Sequence, residues 1–137
     1  MSTRCNVHVI QEGLSWQEIV QLYHHCDGYP THMLPVFVKA FDKFGGDWHA
    51  GRTGHAAAFL CATEPTQFEP ESHLDLHGDI EFFYRLYIVN TQGGSMAERP
   101  EWFIEVLRPS GSIIHERLPI KEAAKIAELI ESKKYSE

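Results

Sequence analysis

The chain has 137 residues, a net charge of −7 and 43% hydrophobic residues. That length suits one domain, and the composition excludes a disordered chain. No apolar run approaches the ~18 residues of a membrane span. The acidic balance argues against a broad phosphate-binding face, so direct nucleic-acid binding is not expected. The opening residues, Met1 to Asn6, lack the apolar core of a signal peptide. Three widely spaced cysteines, Cys5, Cys26 and Cys61, form no Cys-x-x-Cys. They read as reduced thiols of a cytoplasmic protein.

In chain order, Asn6 to Ile10 alternates and predicts a first strand. Ser15 and Glu18 have the spacing of a capping box, with Leu14 and Ile19 as a hydrophobic staple. Trp16, Ile19, Val20 and Tyr23 then recur at helical spacing, predicting a helix that ends near His25. Asp27 to Pro30 is turn chemistry, with Gly28 expected at positive φ. A second helix is expected from about Leu34 to Phe44, with Pro35 in its first turn and Gly45 and Gly46 as its stop. A third covers Thr53 to Thr63 and ends at Pro65. Residues 64–72 read as an exposed loop.

The second half changes period. From Leu74 to Ile88 the even positions are largely apolar and the odd ones begin His73, Asp75, His77, Asp79 and Glu81. This is a strand pattern, with a break expected near Gly78. Glu101–Arg108 and Ser112–Leu118 read as a hairpin across Pro109, Ser110 and Gly111. Residues 91–100 read as a flexible connection. Pro119 opens an amphipathic helix with Ile120, Ala123, Ala124, Ala127 and Ile130 on its buried stripe. The expected class is therefore α+β, one domain over 1–137. The expected order is β-α-α-α-β-β-β-α, with an antiparallel sheet of about four strands and helices mainly on one face. Phe83, Tyr87, Val89, Phe103 and Leu107 fall on the other face. Helices cover part of that face, or it meets a partner, a homodimer being one case.

Two polar clusters carry possible chemistry. In the first, His24, His25 and Asp27 precede Tyr29 and Pro30, so a carboxylate lies near two imidazoles. It reads either as a capped turn or as a site in which Asp27 orients a histidine. The second is His73-x-Asp75-x-His77-x-Asp79. Same-face neighbours on a strand are about 6.5–7 Å apart, so one ion seldom bridges more than two of them without a bend. It reads as a solvated face, or as part of a zinc or manganese site in which His25, Asp27, His77 and Asp79 meet. Arg52, beside Gly51 and Thr53 at a helix start, is a candidate anion contact. No phosphate loop or Gly-x-Ser-x-Gly elbow is present.

The run LYHHCDGYPTHMLP resembles a pattern in small uncharacterised proteins of bacteria and their mobile elements. The matching residues are Tyr23, His24, His25, Asp27, Gly28, Tyr29 and Pro30, followed by Asp79, Glu81 and Tyr84. Phe82 departs from the pattern, which has Tyr there. The resemblance implies an intracellular protein in which the turn and the central strand are neighbours. His24, His25, Asp27, Tyr29, Glu81 and Tyr84, together with Arg52 from the helix start, are the candidate ligand-binding residues. The 12% aromatic content, three Trp and acidic surface suit a non-enzymatic binding module without a cofactor, for a protein partner or small ligand, and in a mobile-element setting an accessory or anti-defence factor. The alternative is a small His/Asp metal-dependent hydrolase using zinc or manganese.

Overall fold

A computed structural model describes residues 3–11, 18–44, 52–71, 80–89 and 100–134. The elements are β1 (Arg4–Gln11), β2 (Glu18–His24), α1 (Pro30–Phe44), α2 (Thr53–Thr63), β3 (Phe68–Pro70), β4 (Ile80–Val89), β5 (Glu101–Leu107), β6 (Ile113–Pro119), α3 (Ile120–Lys125) and α4 (Ala127–Lys133). The class is α+β, but the expected order and sheet are corrected. The described residues form six strands in the order β3-β2-β1-β4-β5-β6, and the sheet is mixed, because β1 and β4 run parallel.

The helix expected before His25 is strand β2, paired antiparallel with β1 from Cys5↔His24 to Gln11↔Glu18. Its β-branched and aromatic residues suit a pleated surface between two neighbours. Pairing continues on its far side, where His24 lies opposite Phe68 of the short edge strand β3. Residues 64–72 are thus not simply a loop. Strands β5 and β6 form the expected hairpin. Gly111 takes φ 94 in its turn, a conformation that favours glycine.

Register assigns each side chain to a face. Leu22, Val7, Tyr84 and Val106 form one row across the sheet, and Val20, Val9, Leu86 and Ile104 form the next. This face joins the helices in one core with Met33, Leu34, Phe37, Leu60, Ala123 and Ile130. Helix α1 lies centrally and packs against α2, α3 and α4. It begins at Pro30, a turn earlier than expected, so Pro35 sits inside it. Pro35 is exposed, and its ring removes a hydrogen bond only on the solvent side. The C-terminal helix is divided at Ile126, whose φ of −115 interrupts the α geometry.

The opposite face carries Tyr23, Asn6, Phe83 and Leu107 in one row and Gln21, His8, Arg85 and Glu105 in the next. His8 packs edge-on against Phe83, and its Nε2 is enclosed without a hydrogen-bond partner. Burial, then the Arg85 charge, holds His8 below the usual imidazole value, while Glu71 pulls it back. The folded state therefore prefers neutral His8, and the unfolded chain takes the proton first as pH falls. The stability from this preference is complete above about pH 6.5, the ordinary imidazole value, and is lost as pH falls through the lower folded value. Urea unfolding at pH 7.5 and 5.5 should show lower stability at 5.5. His8→Gln should remove part of that difference, and an unchanged difference in the variant would exclude this origin.

Candidate metal centre

The Asp27 turn is shaped by backbone constraints. Asp27 itself takes the left-handed conformation, with φ 57, not Gly28 as expected. Aspartate is among the few residues that adopt it at modest cost. Gly28 is needed for close approach. A Cβ there would lie 2.9 Å from the Arg4 carbonyl carbon and from the backbone N and Cβ of Cys5. The Gly28 N–H donates to the Thr3 carbonyl at 2.8 Å, and the Tyr84 hydroxyl donates to the Gly28 carbonyl at 2.7 Å. Tyr84 is fully buried, and burial pushes its phenol well up. It acts as a strut between the central strand and the turn, the two segments that the resemblance implies are neighbours.

Beyond the turn, α1 starts with Pro30, whose missing N–H is harmless at that position. The Glu131 carboxylate of α4 accepts from the Thr31 N–H at 3.2 Å and from its hydroxyl at 2.8 Å. An acidic group at a helix start is favoured by the free N–H groups and the dipole there. This fixes the first turn of α1, which carries His32.

His24, at the end of β2, points to the helix-covered face. Its imidazole packs edge-on against Phe68, with ring centroids 4.7 Å apart. Glu64 follows α2, whose end is marked by the Glu64 N–H donating to the Leu60 carbonyl. The three side chains converge. His24 Nε2 lies 2.7 Å from Glu64 Oε1, and His32 Nε2 lies 3.1 Å from both Glu64 oxygens. Since an ionised carboxylate only accepts, both Nε2 atoms carry the hydrogen in this arrangement. His24 is fully buried, whereas the side chains of Glu64 and His32 are 21% and 32% exposed. Burial holds His24 below the usual imidazole value, against the opposing pull of Glu64.

One potential ligand atom from each of the three residues lies within 4.8 Å of the others. Ligands around a tetrahedral ion with bonds of about 2.0–2.1 Å stand roughly 3.4 Å apart, so small side-chain shifts suffice. Two imidazoles and one carboxylate suit zinc and neighbouring first-row ions, not calcium or magnesium, which favour all-oxygen sets. Cys5 lies opposite His24 in the strand pairing, and burial pushes its thiol well up.

Of the candidates from sequence, His24 is in this group. His25, just past the end of β2, is not. It packs against Tyr23, and its Nε2 lies 3.3 Å from Glu69. Asp27 accepts from the Tyr29 hydroxyl at 3.0 Å in an exposed pair. Glu81 faces Lys134 at 3.4 Å, and Arg52 is exposed before α2. His73, Asp75, His77 and Asp79 lie outside the described residues, as do Gly45, Gly46, Gly78 and the Ser15 box. His32 and Glu64 were not singled out by sequence. His32 stood inside an expected turn-to-helix run and Glu64 in an expected loop.

No protein-family model matches the chain, no curated protein matches its sequence, and no solved structure matches its fold. No helix among the described residues is long and apolar enough to cross a membrane.

Proposed function

We propose that this protein is a small binding module for a divalent transition-metal ion, held by His24, His32 and Glu64. The observation that carries this reading is the convergence of two imidazoles and a carboxylate from three separate segments. Exposure on the His32 side leaves room for further ligands from solvent. A set of three protein ligands with an open position differs from the closed four-ligand sets of structural zinc sites.

The test is calorimetric titration and thermal melting of tag-free protein with Zn²⁺ and Mn²⁺, beside His32→Ala. One equivalent of ion should bind the native chain. At a free ion concentration 100 times its dissociation constant, stabilisation should be about 2.7 kcal/mol. His32→Ala should lose this stabilisation. No uptake by the native chain, or equal uptake by the variant, would overturn the reading. The variant matters because nine histidines could bind metal nonspecifically.

A further inference from the structure

We infer that this centre is exchangeable, loading and releasing its ion while the fold persists; the inference rests on the metal reading above. Three observations carry it.

The first is that the ligand atoms already have partners within the protein. Glu64 accepts from both imidazoles, so the carboxylate and both Nε2 atoms are satisfied by one another. An incoming ion must displace these hydrogen bonds. In a site that is folded only by its metal, ligation competes with the unfolded chain instead.

The second concerns the far side of the buried imidazole. His24 Nδ1 is enclosed and has no hydrogen-bond partner among the described residues. While Nε2 carries the hydrogen, Nδ1 is a bare lone pair. An ion on Nε2 needs that lone pair, so the hydrogen must reside on Nδ1. Among the described residues no acceptor meets it there. Histidine ligands ordinarily donate this hydrogen to a carboxylate, carbonyl or water, and loss of such a partner typically weakens metal binding about 10–100-fold.

The third is the asymmetry of exposure. His24 is closed off, while His32 and Glu64 reach solvent. Ion and competing ligand can therefore meet on the His32 side without opening the core. The ligand class is a borderline divalent ion such as Zn²⁺ or Co²⁺, held briefly by two nitrogens and a carboxylate.

The experiment loads the full chain with Co²⁺ or Zn²⁺ and challenges it with chelators of graded strength. The ion should bind with a dissociation constant in the micromolar range and be removed completely by EDTA within seconds. The far-ultraviolet circular dichroism spectrum should be unchanged after removal. Long-range ¹H–¹⁵N NMR should show His24 changing from the Nε2–H to the Nδ1–H form as Zn²⁺ binds. Retention of the ion through gel filtration in EDTA, or unfolding on removal, would overturn exchangeability while leaving metal binding intact. Zinc uptake with His24 still in the Nε2–H form would also overturn it. Failure to take up either ion would remove the underlying reading as well.

Discussion

Gly28→Ala is expected to destabilise the protein by about 3 kcal/mol, at the upper end for an overpacked site. The added methyl would lie 2.9 Å from three atoms of β1, two of them backbone. A flexible side chain could rotate away, but a strand hydrogen bonded on both sides cannot. The turn would have to move instead. That movement would stretch the Gly28 bonds to Thr3 and Tyr84 and carry the first turn of α1, with His32, away from His24. Gly54 is the internal control. Nothing lies within 4 Å of a Cβ placed there, in the first turn of α2. Gly54→Ala should therefore leave stability unchanged or raise it by up to about 1 kcal/mol. Urea midpoints at fixed pH measure both. Equal effects at the two positions would show that close approach is not what Gly28 provides.

Two substitutions at Glu64 should separate its structural and ligand roles. Glu64→Ala removes the acceptor for the fully buried His24 Nε2–H. Leaving such a donor unsatisfied costs about 1–3 kcal/mol, so stability should fall by that amount in the presence of EDTA. Glu64→Gln keeps a carbonyl oxygen for His24, and neutral His32 can present its lone pair to the amide. Its stability should stay near that of the native chain. Metal binding should be lost in both variants, because neither offers an anionic oxygen. Denaturation in EDTA followed by calorimetric titration reads the two effects separately. A glutamine variant that binds zinc as well as the native chain would remove Glu64 from the ligand set.

Legibility in the sequence followed locality. Helix α2 has the bounds expected from its small-residue run and Pro65, and β5 and β6 follow their hairpin turn. Both depend on neighbours in the chain. The sequence of β2 imitates a helix because its two faces are both partly apolar. Val20 and Leu22 face the helices while Ile19 and Tyr23 face the other way, so period two is masked and a chance helical spacing emerges. The parallel pairing of β1 with β4 has no local signature at all. The site divides likewise. His24 stood out beside His25 and Asp27, whereas Glu64 meets it only after α2 has packed against β1 and β2. Cross-element convergence of this kind is a property of the packed chain, and no spacing rule encodes it.

The parallel pair also bears on how the chain reaches its native state. Strand β1 is synthesised well before β4, yet it ends in the middle of the sheet, with Val7 beside Tyr84. Its hairpin with β2 can form early, but one edge must wait for distant sequence to emerge. Closing so long a loop slows folding, and until then an apolar edge is open to the wrong partner. The ribosome-bound intermediate, more than the finished protein, is therefore the species in which aggregation should begin.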